Sequence, residues 1–184
     1  MNTPVVVALI IVLLGAIAVS AVILLKARRT QRLRSRFGPE YNRVVETIGS
    51  KRHAEAKLET LEKRVESYRI RPLAAPERSD YIQQWRRIQA RFVDDPRLAV
   101  TEADRLIEII MGARGYPMAE FDERAADISV DYPLVVEQYR AGHAIALRHA
   151  QGHASTEDLR MAMLHYRTLF EELVESAHAR TKIA

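Results

Sequence analysis

From Val5 to Leu25 the chain is an apolar run without a charged side chain, and Lys26, Arg28, Arg29, Arg32, Arg34 and Arg36 follow at once. At ~1.5 Å rise per residue, a helix over 5–25 would be ~31 Å long, enough to cross a bilayer core of ~30 Å. Behind this block the pattern changes to helical spacing. Tyr41, Val44, Val45 and Ile48 share one face, and after Gly49 the stripe resumes as Ala54, Leu58, Leu61, Val65 and Tyr68. The pattern predicts one long helix over 39–70, opening at Pro39, whose missing N–H costs nothing in a first turn. The second stripe is heptad-like but short, with a phase change at Gly49. Packing on its own domain is therefore favoured over a coiled-coil stalk.

Proline and glycine punctuate the remainder. Residues 71–77, with Pro72 and Pro76, read as a linker. Ser79 is the expected N-cap of a helix carrying Ile82, Trp85, Ile88 and Phe92, and Asp95-Pro96 the start of one carrying Leu98, Ala103, Leu106, Ile107 and Ile110. Gly112, Gly115 and Pro117 end it. Residues 119–127 predict a short acidic helix or turn anchored by Phe121. Asp131-Tyr132-Pro133 is expected to open a helix ending near Gly152, with Val135, Val136, Tyr139, Ala146 and Leu147 inward. Ser155 and Asp158 form an approximate capping box for the last, with Leu159, Ala162, Met163, Tyr166, Leu169, Phe170 and Leu173 inward. No segment alternates with period two for long enough to propose a strand. The predicted fold is all-α: one N-terminal transmembrane helix, then a soluble domain of about five helices, the first one long. The expected organisation is a short N-terminus (1–4), the span (5–25), a basic juxtamembrane segment (26–38), the long helix (39–70) and the helical domain continuing from it (71–184).

Charge orients the span. Lys and Arg flanking a membrane helix stay on the cytoplasmic side. With none before the run and six after it, the N-terminus is expected outside and the domain in the cytoplasm, at the cell membrane. A cleaved secretory signal is the alternative, with Ala18-Val19-Ser20-Ala21 as an imitation of a cleavage site. A signal core is shorter, however, and its cations precede it. The six neck cations are candidates for contact with anionic lipids, at about 1 kcal/mol each near the surface. Nucleic acid is a poor fit, because only Phe37 lies nearby to stack on a base. Gly15, and the pair Ala16 and Ser20, are small enough for a second span to approach, although plain lipid-facing positions explain them as well.

Composition alters this picture in one respect. Setting the six neck cations aside leaves 22 Lys and Arg against 24 Asp and Glu, so the remainder carries about −2 rather than the +4 of the whole chain. The basic character belongs to one short segment. With no cysteine there is no disulfide, thiol nucleophile or cysteine-type zinc site.

The segments Arg32 to Tyr41 (RLRSRFGPEY), Phe92 to Pro96 (FVDDP), Arg114 to Pro117 (RGYP), Asp131 to Pro133 (DYP), Ser155 to Arg160 (STEDLR) and His165 to Arg167 (HYR) together give a further indication. Across nearly the whole polar region the chain resembles a bacterial family, common in actinobacteria, of single-pass "membrane" or "secreted" proteins with a helical C-terminal domain. The resemblance implies the architecture of one span and one helical domain. It implies no activity, cofactor or site residue.

Candidate chemistry is sparse. His143, His149, His153 and His165 cluster in sequence, and His149 and His153 would share a face of an unbroken helix, as metal-ligand pairs do. Gly152 intervenes and Glu157 is the only suggestion of a third ligand, so surface histidines are the preferred reading and no metal or other cofactor is expected. Glu120, Asp122, Glu123, Asp127 and Asp131, interrupted only by Arg124, form the most acidic stretch and match no calcium loop. With the neighbouring turn 114–117 (Arg114 and Tyr116) and the segment from Leu33 to Tyr41, Glu120, Asp122, Glu123 and Asp127 are the expected surface for an unknown protein partner. There is no phosphate-cradling glycine loop and no nucleophile elbow. Trp85 continues an apolar stripe and is expected in the core. The function these features favour is a membrane-anchored, non-catalytic interaction or scaffold domain at the cytoplasmic face. The alternatives are a metal-dependent or acid–base enzyme using His and acid residues of the last two helices, and a self-associating structural protein using the 54–68 stripe.

Overall fold

A computed structural model describes the backbone of residues 3–176 and the side chains of residues 11–176. These residues form eight helices and no strand: α1 (Thr3–Phe37), α2 (Pro39–Ile48), α3 (Lys51–Glu66), α4 (Ala75–Arg91), α5 (Pro96–Arg114), α6 (Phe121–Asp131), α7 (Val136–Ala150) and α8 (Thr156–Glu175). The fold is all-α, and one helix near the N-terminus is long and apolar enough to cross a membrane or to serve as a signal sequence.

No helix breaker stands between Pro4 and Gly38 except Gly15, and α1 runs through the apolar block and the basic neck without interruption. Its two parts have different surroundings. Leu13, Leu14, Ile17, Ile23 and Leu25 are all more than half exposed, whereas Leu33 and Phe37, four residues apart on one face, are fully buried. The neck is therefore part of the domain and not a tether to it, and Leu33, Phe37 and Tyr41, expected on a partner surface, lie in the core because they point into the unit formed by α1, α2 and α3. Gly38, at φ 52°, ends α1, and Pro39 opens α2.

The long helix expected over 39–70 is two helices. Gly49 adopts the left-handed conformation (φ 69°) and donates its N–H to the Val45 carbonyl at 2.9 Å, which closes α2 and reverses the chain. The phase change at Gly49 marks this corner. α2 folds back along the end of α1, and α3 then runs beside α1 in the same direction, as the contacts of Thr30 with Glu55 (2.7 Å) and Arg32 with Glu62 (3.1 Å) show. Ala54, Leu58, Leu61 and Val65 are buried in this three-helix unit together with Leu33, Phe37 and Tyr41. The heptad-like stripe is thus occupied inside the domain, and it offers no free seam for a coiled-coil stalk.

Two further boundaries differ from expectation. α4 begins at Ala75, not Ser79, because Pro76 fits the first turn and the Glu77 carboxylate accepts the Ala74 N–H at 2.8 Å. α6 extends to Asp131, so Asp131 ends one helix and does not cap the next, which starts at Val136. With the acidic stretch a full helix and 39–70 divided, seven helices follow α1 where about five were expected. Asp95 caps α5 by accepting the Leu98 N–H at 3.0 Å, and Ser155 and Asp158 form the capping box of α8. α5, α7 and α8 pack together, Trp85 of α4 stacks on Phe170 of α8 at 4.7 Å, and the Gly142 backbone lies against His165 and Tyr166.

Candidate membrane-facing site

The structure divides the six neck cations into two groups. Arg29, Arg32 and Arg36 fall on the face of α1 that meets α3: Arg29 lies 2.6 Å from Glu59, Arg32 3.1 Å from Glu62, and Arg36 4.0 Å from Glu62. The Arg34 guanidinium sits 5.2 Å from the centre of the Tyr41 ring. Lys26 and Arg28 are exposed, and no carboxylate among the described residues lies within ion-pair distance of either. The cations farthest from the apolar segment join the neck to the domain, and the nearest ones remain open.

The reversal at Gly49 adds cations that are remote in sequence. It sets the first turn of α3 beside the start of the neck, so that Lys26, Arg29, Thr30, Lys51, Arg52 and Glu55 line one cleft of about 570 Å³. A second cleft shares Lys26, Thr30 and Lys51 with the first and adds Ala27, Gln31 and Arg34. Glu55 is buried and accepts hydrogen bonds from Thr30 (2.7 Å) and from the Tyr41 hydroxyl (3.0 Å), with the Lys51 ammonium 3.9 Å away. Burial alone would raise its carboxyl, but these hydrogen bonds and the nearby Lys51 and Arg29 outweigh it and hold the group below the usual carboxylate range. Glu55 is thus a fixed negative charge at the floor of a cleft with cationic walls. Lys51 and Arg52 were missed from the sequence because no pattern ties them to the neck; the only signal was the Gly49-Ser50 break.

Half of the expected partner surface is turned inward. Arg114, Tyr116 and Asp127 are buried. Arg114 donates to the hydroxyls of Tyr132 and Ser176, to the Leu173 carbonyl at 2.8 Å and to the Arg71 carbonyl at 3.3 Å, which ties α5, α8 and the chain before α4 together. Tyr116 donates to Asp131 at 2.6 Å, and burial next to that carboxylate raises its phenol. Asp127 is held by Arg64 and by the Tyr68 hydroxyl at 3.1 Å; burial raises its carboxyl beyond what those partners offset. Of the acids proposed for a partner, Glu120, Asp122 and Glu123 stay exposed, and Glu123 and Asp122 also contact Arg64 (2.5 Å) and Arg140 (3.3 Å). An open cleft of about 400 Å³ between α6 and α7 is lined by Glu120, Asp122 and Arg140 together with Phe121, His143 and Leu147.

The histidines do not converge. α7 ends at Ala150, Gly152 turns the chain at φ 78°, and His149 and His153 lie on different pieces of backbone. Among the described residues no three His, Cys, Asp or Glu side chains come together as a metal site. Phe121 stacks on His143 at 3.6 Å, and the imidazole Nδ1 lies 3.7 Å from Asp104. Beside them Arg124 donates to the Tyr139 hydroxyl at 3.0 Å and to Glu108 at 2.6 Å, while burial pushes the Tyr139 phenol up to about 12 against the pull of that arginine. These groups join α5, α6 and α7 around a polar centre that sequence spacing did not reveal. No family model, curated protein or solved structure matches this chain.

Proposed function

We propose that the chain is a single-pass membrane protein, N-terminus outside, whose helical domain is held at the cytoplasmic face as a non-catalytic platform for a partner. The observation that carries this reading is α1, one uninterrupted helix that is apolar up to Leu25, exposed from Ile11 to Leu25, and anchored in the domain core by Leu33 and Phe37 in its last turns. A helix of that kind couples the domain to the bilayer with little freedom between them, as suits a protein that presents a surface at fixed height. The cations that follow Leu25 support the orientation. The cleft between α6 and α7, where Glu120, Asp122 and Arg140 lie beside Phe121 and Leu147 and Arg140 is also held by Glu40 at 2.9 Å, is the surface we favour for a partly apolar partner that brings a basic group to Glu120 and Asp122.

Protease treatment of intact cells tests this. The domain is expected to resist digestion until the membrane is opened, and to stay with the membrane fraction at a mass that includes residues 1–25. Digestion from outside would overturn the orientation. A soluble product shortened near Ala21 would replace the anchor by a cleaved signal. For the partner surface, a crosslinker placed at Asp122→Cys in this cysteine-free chain is expected to capture a protein that the same crosslinker at Thr168→Cys on α8 does not.

A further inference from the structure

We infer that the cleft between α1 and the first turn of α3 binds the phosphate of an anionic glycerophospholipid, with Lys26, Lys51 and Arg52 as its principal contacts. The inference rests on the reading that residues 5–25 span the bilayer.

Position argues for a lipid. The headgroup layer adds ~5–7 Å outside the hydrocarbon core on each side. At ~1.5 Å per residue, Lys26 stands ~1.5 Å and Arg29 ~6 Å beyond Leu25 along α1, whereas Arg32 and Arg36 stand ~10 and ~16 Å beyond it. The cleft that Lys26, Arg29, Lys51 and Arg52 line therefore lies at headgroup depth, and the cations deeper in the domain, Arg32, Arg34 and Arg36, are already matched with Glu62 and Tyr41.

Charge argues for an anion. Arg29 is matched by Glu59 and Lys51 is 3.9 Å from Glu55, while Lys26 and Arg52 have no carboxylate within ion-pair distance among the described residues. Four cations against two acids leave the cleft with about two positive charges, on walls that exclude part of the solvent. Because α3 runs in the same direction as α1, its N-terminal end faces the membrane. Ser50, its N-cap, makes no side-chain hydrogen bond there, which leaves the first N–H groups of α3 directed at the same space. No aromatic side chain lines the cleft, so it has nothing on which a base would stack.

Lys51 and Arg52 allow the inference to be separated from the anchor, because they are remote from the span. The full-length chain is reconstituted in bilayers of phosphatidylcholine mixed with phosphatidylglycerol, extracted in mild detergent, and the phosphatidylglycerol retained per chain is counted by native mass spectrometry. The chain is expected to retain phosphatidylglycerol over phosphatidylcholine, and the double variant Lys51→Gln/Arg52→Gln to lose this preference by roughly tenfold or more. Arg160→Gln/Arg167→Gln, which removes two exposed cations of α8, is expected to leave it unchanged. Equal retention by the first variant, or equal loss in the second, overturns the cleft. Displacement of the lipid by inorganic phosphate at matched ionic strength would assign the cleft to a soluble phosphate and overturn the lipid. If the chain fails to co-sediment with phosphatidylcholine vesicles, the anchor reading falls and the inference with it. If it co-sediments and the variant still retains the lipid, only the inference falls.

Discussion

A guanidinium removed from water is stable only where its donors are met, and Arg114 has partners on three sides. Its contacts with Tyr132, Leu173, Ser176 and Arg71 make it a bracket between segments far apart in sequence. Lysine carries the charge without the planar fork, so it cannot reproduce these directions. Arg114→Lys is expected to lower unfolding free energy by about 3 kcal/mol and Arg114→Ala by about 3–5 kcal/mol, read from urea denaturation of the full chain in detergent. Glu55 supplies a test with a defined pH sign. Its folded carboxyl lies below the ordinary value of 4.5, so the unfolded chain takes up a proton first as pH falls. The stability it contributes is fully present above pH 4.5 and disappears as pH falls through the folded value. Stability of the wild type and of Glu55→Gln, followed from pH 7 downward, is expected to converge below pH 4.5; parallel curves would remove Glu55 as a source of acid sensitivity.

At the scale of elements, two glycines that close helices need glycine for different reasons. Gly49 has φ 69° and open space around the position of a Cβ, so alanine there meets only the left-handed backbone cost of about 1–2 kcal/mol. Gly115 has φ 99°, and a Cβ would stand 2.4 Å from the Arg69 carbonyl oxygen. Gly115→Ala must also displace the chain that passes from α3 to α4, and thermal unfolding is expected to show it as clearly the more damaging of the pair. Equal losses would mean that the crossing at Arg69 is not tight. The difference also explains what was legible beforehand. Apolar stripes and caps depend on residues a few positions apart, so α5 and α8, with Asp95, Pro96, Ser155 and Asp158 at their starts, were readable from spacing alone. The turn at Gly49 was visible as a change of phase but not as a reversal, because its direction is decided by what the two halves bury. Spacing also could not anticipate that Asp127 would turn inward to Arg64, or that Lys51 would return beside Lys26, since both depend on contacts between distant segments.

At the scale of the whole molecule, the boundary between apolar segment and domain falls inside a helix. Leu33 and Phe37 are buried among α2, α3 and the elements next to them, while side chains from Ile11 to Leu25 touch almost nothing of the domain. Charge and hydropathy mark Leu25–Lys26 as the end of the apolar segment, but they cannot show that the next three turns belong to the core. Two truncations separate these readings. A chain beginning at Ala27 keeps Leu33, Phe37 and the ion pairs of Arg29, Arg32 and Arg36 with α3, and is expected to fold as a soluble helical domain with a cooperative melt. A chain beginning at Pro39 loses both buried side chains. Emptying such positions costs about 2–5 kcal/mol for leucine and about 3–5 kcal/mol for phenylalanine. Together that is comparable to the whole stability of a domain, about 5–15 kcal/mol. The shorter chain is therefore expected to show broad, non-cooperative unfolding by circular dichroism. If it melts as sharply and as high as the longer one, the neck is a dispensable tether, and the rigid coupling of domain to membrane is lost with it.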